Sequence, residues 1–375
     1  MSLLQLYPPG VTFGADPELF LMKVGAKRST VVGSERIITA PIKVMRDAYE
    51  YGTVETDGVQ VELHPKSAQC RQGFSNYIRE AMKTLKSTVD QHPHLQVSFA
   101  SLVRVPKREF IGLSERAKFL GCTPSFNAYG RETKEVNGLE YRIRTAAGHL
   151  HLGLPSIDNG HHKFSAGAPK IDPARLTRLL DITLGIPSVM IDKDPNQRER
   201  RKLYGKAGEY RLPSYGLEYR TLSNFWLQSY PLMSLVCAQA RVAVNLAFLE
   251  VAKGYSSATY ATKVAAELLT AVDPLLVEKA INKNDQALAF KIYDEVYKPI
   301  MKTVANPDGI YTTTYSDSVG GFEDFEYFCQ RPLAEWLPQD VFAHWAIQPK
   351  AGWESYTTNT IRPMRMGSAA AEPIL

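Results

Sequence analysis

His149 and His151 stand two residues apart in Gly148-His149-Leu150-His151-Leu152-Gly153, and that spacing constrains this chain more than any other feature. In a strand, both imidazoles leave one face, and Leu150, Leu152 and Leu154 take the opposite face toward a core. Three distant segments repeat the layout with carboxylates: Phe13 to Phe20 carries Asp16 and Glu18, Asp57 to Leu63 carries Glu62, and Leu217-Glu218-Tyr219-Arg220 carries an acid and an arginine. Each alternates polar and apolar residues at period two, the pattern of a half-buried strand. Side chains of this kind gathered on one sheet surface point to metal and phosphate.

At 375 residues the chain is long enough for a large core, as one big domain or two. Apolar residues at 44% and charged residues at 22% fit a water-soluble globular protein. A net charge of +5, spread along the chain, suits anionic substrates but is too weak to argue for nucleic acid. Four cysteines without Cys-x-x-Cys spacing argue against a structural zinc knot and for a reducing, cytoplasmic setting. No signal peptide is expected, and the most apolar helix candidate, Leu235 to Ala252, is interrupted by Gln239, Arg241, Asn245 and Glu250, so no membrane span is expected.

The pattern predicts strands over Val11–Val24, Val54–Leu63, Leu95–Val105 and Tyr141–Leu154, with Pro17 marking an edge or bulge. A helix is expected over Arg71–Val89, with Phe74, Ile78, Met82 and Leu85 on one face. Another opens at Asp172-Pro173 and ends near Gly185 and Pro187. Asp192 to Arg211 reads as a polar, basic segment without apolar periodicity. Helices follow from Pro231 to Lys302, capped at Ser257 or Thr259 and at Asp273. The expected fold class is α+β, as one domain over 1–348 (strand-rich 1–230, helix-rich 231–348), with a loose tail over 349–375.

Taken singly, each candidate has an ordinary explanation. Asp16 and Glu18, about 6.6 Å apart along a strand, could be a solvated face. Glu62 could be a surface acid, and Glu218 with Arg220 a surface ion pair. The cations Arg198, Arg200, Arg201, Lys202, Lys206 and Arg211 could be a solvated loop, or a basic clamp whose Gly205 and Gly208 let backbone approach polyphosphate. The other histidines lie in loop-like or terminal contexts. Jointly, these residues offer hard oxygen ligands, one or two imidazoles and basic donors. That set suits magnesium or manganese better than zinc, and magnesium with basic side chains implies a nucleotide phosphate.

In this order, Gly14-Ala15-Asp16-Pro17-Glu18-Leu19-Phe20, Asp57-Gly58-Val59-Gln60-Val61-Glu62, Gly148 to Gly153, Tyr204-Gly205-Lys206-Ala207-Gly208-Glu209-Tyr210-Arg211 and Leu217-Glu218-Tyr219-Arg220 resemble the carboxylate–amine ligases of the glutamine synthetase/glutamate–cysteine ligase fold. Within that group the chain is most similar to the phage-type amidoligases (type 2 COOH–NH2 ligases), from about residue 10 to 230. The resemblance implies a curved antiparallel sheet forming a funnel, with helices packed on it. It implies divalent metal on Asp16, Glu18, Glu62, His149 and Glu218. It implies ATP phosphates on His151, Lys206, Arg211 and Arg220, with Arg200 and Arg201 as further contacts. Glu218, Arg220 and Lys206 become the catalytic set, with ATP and Mg2+ (or Mn2+) as cofactors. Asp16 stands where the pattern more usually has glutamate. The reaction expected is amide formation through an acyl phosphate, from a small-molecule or peptide carboxylate and an amine, in the (host) cytoplasm; relatives by fold often assemble into rings or dimers, which leaves a homo-oligomer open. A metal-dependent hydrolase and a non-catalytic, virion-associated binding protein are the alternatives.

Overall fold

The computed structural model describes residues 11–26, 29–69, 71–118, 125–132, 142–155, 157–158, 160, 170–251, 256–305 and 336–346. In chain order the strands are β1 (Thr12–Ala15), β2 (Glu18–Lys23), β3 (Thr30–Val32), β4 (Ile42–Arg46), β5 (Tyr49–Asp57), β6 (Gln60–Pro65), β7 (Leu95–Ser98), β8 (Leu102–Arg104), β9 (Phe126–Asn127), β10 (Ile143–Thr145), β11 (Leu150–Gly153), β12 (Glu209–Arg211) and β13 (Gly216–Tyr219). The helices are α1 (Arg71–Asp90), α2 (Lys107–Ile111), α3 (Glu115–Lys118), α4 (Pro173–Leu180), α5 (Ile186–Ile191), α6 (Gln197–Leu203), α7 (Tyr230–Val251), α8 (Ser256–Ala271), α9 (Pro274–Asn282), α10 (Gln286–Ile292), α11 (Lys298–Ala305) and α12 (Val341–Ala346). The class is mixed α and β, with antiparallel ladders in a strongly curved half-barrel. No helix among the described residues is long and apolar enough to cross a membrane.

The first traverse explains how the site is assembled. Pro17 has no N–H to give a ladder, so Val11–Val24 is two strands instead of the single one expected. β1 pairs with β11, which continues through β13 and β12 to β9. β2 pairs with β6 and β7. Across the break, the Pro17 carbonyl accepts from Leu63 N–H at 3.0 Å, and Phe13 and Ala68 exchange two backbone hydrogen bonds of 2.8 Å. One chain segment therefore stitches the two sheets together.

Behind the sheets, Phe13, Leu150, Leu152, Leu217 and Tyr219 are buried, as are Phe74, Ile78, Met82 and Leu85 of α1. The principal core runs from Val11 to Trp345, so the strand-rich and helix-rich parts share it.

Several expected boundaries move. Val54–Leu63 spans parts of a hairpin, β5 to β6, turning where Gly58 adopts φ +59°. Leu95–Val105 divides into β7 and β8. Tyr141–Leu154 divides into β10 and β11, with Tyr141 itself outside the described residues. Asp172 caps α4 by accepting from Arg175 N–H at 3.1 Å, and Asp273 caps α9 by accepting from Leu275 N–H at 2.9 Å. α8 begins at Ser256, so Ser257 and Thr259 lie inside it. The tail over 349–375 lies outside the described residues.

Gly185 and Pro187 do not end the α4 helix. A π-turn over Asp181–Gly185 resets the hydrogen-bond ladder, and Pro187 falls in the first turn of α5, where its missing N–H costs nothing. Gly185 serves close packing: a Cβ there would lie 2.7 Å from the Tyr219 hydroxyl. That hydroxyl donates to Asp181 Oδ1 at 2.7 Å.

Burial pushes the Asp181 carboxyl from its ordinary 3.8 up to about 7, against the pull of its hydrogen bonds. The unfolded chain releases this proton near pH 4 and the fold keeps it to about pH 7, so stability falls as pH rises between them. Asp181→Asn is expected to remove this slope, which is on the order of 3–4 kcal/mol. Urea unfolding at pH 4 and pH 8 measures it; parallel curves for the two proteins would refute it.

Candidate functional site

Register brings the polar residues into two rows. His151 lies opposite Gly14 on one side and Glu218 on the other, and Glu218 lies opposite Arg211. One step along, His149 precedes β11 and Asp16 follows β1. His149 Nδ1 lies 3.1 Å from Asp16 Oδ1 and 3.4 Å from Glu218 Oε1, and His151 Nε2 lies 3.2 Å from Asp16 Oδ2. Asp16, His149 and Glu218 are all buried.

Glu18 falls into a second group. It pairs in register with Glu62, and with Asp57 these acids offer oxygens within 4.8 Å of one another. Asp16, His151 and Glu218 meet the same criterion. The break at Pro17 thus sends neighbouring acids to separate groups, a correction to the single Asp16–Glu18 pair. The groups remain adjacent, since the Asp16 charge helps to raise the pKa of Glu18, Asp57 and Glu62.

Burial is the leading cause of the rise at all three, with repulsion from nearby carboxylates added. Opposing it are the Ala147 N–H, 2.7 Å from Glu18 Oε2, and His64, whose Nε2 lies 2.8 Å from Glu62. Burial acts in the same sense on Asp16, but His149 and His151 outweigh it and hold this carboxyl far below the usual range. Asp16 Oδ1, both ring nitrogens of His149, and His151 Nε2 are buried without a well-formed hydrogen bond. Buried polar atoms seldom go unpaired. Crowded acids beside imidazole nitrogens that lack a well-formed hydrogen bond form a donor set that fits an oxygen-preferring divalent ion.

The basic residues divide sharply. Arg211 holds both Glu218 oxygens in a fork at 2.6 and 2.8 Å, and Arg220 Nε lies 3.2 Å from Oε1. Arg220 also donates to Ser125 Oγ at 2.5 Å and to the Tyr204 hydroxyl, and its guanidinium lies 4.8 Å from the Tyr204 ring centroid. Arg200 and Arg201 belong neither to a solvated loop nor to a flexible clamp. Both are buried: Arg200 donates to the carbonyls of Ala146, Thr221 and Leu222, and Arg201 to that of Ile281. The 192–211 segment forms α6 and β12 around them. Gly205 (φ +74°) bends against Arg200, where a Cβ would lie 2.4 Å from Nη1, so it accommodates this guanidinium. Lys206 lines a different cavity, against α9.

Four neighbours are additions to the sequence-derived set. Asp57 completes the second acid group; its Asp-Gly turn was a hairpin signal that could have placed it on the Glu62 face. His64 lies within β6, not in a loop, and its period-two spacing from Glu62 was the available cue. Tyr215 bonds His151 Nδ1 at 2.6 Å, and Tyr204 packs on His149. Neither tyrosine carries a local signal.

Residues 136–267 match the family model of phage phiEco32-like COOH-NH2 ligase, type 2. This match supports a phage-type carboxylate–amine ligase. It spans His149, His151, Lys206, Arg211, Glu218 and Arg220, while Asp16, Glu18, Asp57 and Glu62 precede it. No curated protein matches the chain.

Proposed function

We propose that this protein is an ATP- and magnesium-dependent carboxylate–amine ligase on a glutamine synthetase/glutamate–cysteine ligase-like scaffold. The observation that carries this reading is the convergence of Asp16, His149, His151 and Glu218 beside Glu18, Asp57 and Glu62, with Arg211 and Arg220 at the edge. The matched family's name supports the joining of acid to amine.

The two groups would hold Mg2+ or Mn2+, which supplies charge neutralisation for phosphoryl transfer. A carboxylate is a poor electrophile, so its oxygen attacks the γ-phosphorus of ATP, releasing ADP and leaving an acyl phosphate. The amine then displaces phosphate and loses a proton. Arg211, whose side chain is 32% exposed, is the arginine placed to exchange Glu218 for a phosphate oxygen. Arg220, buried and tied to Tyr204 and Ser125, orients Glu218. His151, fixed by Tyr215, keeps one nitrogen toward the acids.

The test is mass spectrometry of acid and amine mixtures incubated with protein, ATP and magnesium. ADP release that needs both substrates, with a product one water lighter than their sum, is the expected result. Cleavage of substrate without nucleotide would return the metal-dependent hydrolase. Absence of nucleotide binding at millimolar magnesium ATP would return the binding protein.

A further inference from the structure

A cavity of about 470 Å³ opens between the Tyr204–Glu209 loop, α9 and Arg131. None of its lining residues belongs to either carboxylate group. We propose that it is a second binding site, for a compact polyanion of the phosphate type.

The walls are fixed. Arg131 forks onto Glu278 at 2.8 and 2.7 Å, so those charges cancel. The loop is pinned at successive residues: Ala207 N–H donates to Asn282 Oδ1 at 2.8 Å, Asn127 Nδ2 donates to the Ala207 carbonyl at 3.0 Å, and Thr221 Oγ1 donates to the Lys206 carbonyl at 3.0 Å. Lys202 is paired with Glu199. Against that rigid frame stand Lys206, from the loop, and Lys279 and Lys283, one helical turn apart at the end of α9. None of the three forms an ion pair among the described residues.

The lining as a whole carries six cationic side chains and three carboxylates, so a positive surplus faces into a concave volume. Such a field concentrates multiply charged anions. Ammonium groups from separate elements act as point charges toward oxygens spread around a phosphate chain, and need no planar partner. The same cavity accounts for Lys206, which has no contact with the acidic surface among the described residues.

The test titrates tripolyphosphate into the full-length protein by calorimetry, without divalent metal. Lys279→Ala with Lys283→Ala is expected to weaken binding roughly tenfold, the loss of two nearby charges. Lys279→Arg with Lys283→Arg should retain it, and added salt should weaken it. Glu218→Gln should leave it intact, so failure here and failure of the ligase reading are distinguishable. No tripolyphosphate binding at millimolar concentration, or equal binding by the double alanine variant, would overturn the site. Tighter binding of citrate than of tripolyphosphate would overturn its phosphate character.

Discussion

Glu218→Ala is expected to abolish ATP-dependent amide formation and to destabilise the protein together. Glu218 is 2% exposed, and its two oxygens face Arg211, Arg220 and His149. Removing it strands Arg220, itself 3% exposed, without its carboxylate. Breaking a buried pair from one side costs about 3–5 kcal/mol, because the remaining charge stays out of water. Arg211 is partly exposed and relaxes into solvent at little cost. Turnover falls on the order of 10²–10³-fold or more when a preorganised charge-stabilising group is lost. The two effects separate in Glu218→Met with Arg220→Met, which removes both charges in similar volume. That variant should regain stability in urea unfolding and remain inactive. A stable, active Glu218→Ala protein would remove Glu218 from both roles.

Much of the acidic surface was legible because parity in a strand is local. His149 with His151, and Glu218 with Arg220, keep to one face wherever their strands pair, and the apolar residues between them fill the core. Which acids share a group was not legible, because that depends on partners. Pro17 breaks the traverse so that Asp16 joins β11 and β13 while Glu18 joins β5 and β6, and Asp57 arrives across a hairpin. The continuation of α4 past Gly185 rests on the π-turn and on packing against Tyr219 and Ile281, far away in sequence. A run of arginines and lysines looks alike whether solvated or buried, since the carbonyls that decide the matter come from other segments of the chain.

Arg200→Ala is the sharpest case of that last ambiguity, and it is expected to cost stability on the scale of the Glu218 change. Arg200 is fully buried and spans three acceptors: Nε to Ala146 at 3.2 Å, Nη1 to Thr221 at 3.1 Å and Nη2 to Leu222 at 2.7 Å. Burial pushes its pKa down, but a guanidinium keeps its proton in proteins, so it enters the fold as a cation. Truncation strips the Ala146 and Thr221 carbonyls of this donor, at about 1–3 kcal/mol for each before relaxation, leaves the Leu222 carbonyl with only its bond from Gly148 N–H, and adds a cavity. Arg200→Lys should recover little, because one ammonium cannot reach acceptors set around a planar fork. The carbonyls it ties together flank Ala147, whose N–H bonds Glu18, and Arg220, so the loss also loosens the acidic surface from behind. Urea unfolding of wild type, Arg200→Lys and Arg200→Ala measures the prediction directly. A phosphate-binding Arg200 would behave oppositely: the alanine variant would unfold at the wild-type midpoint and lose only affinity for nucleotide.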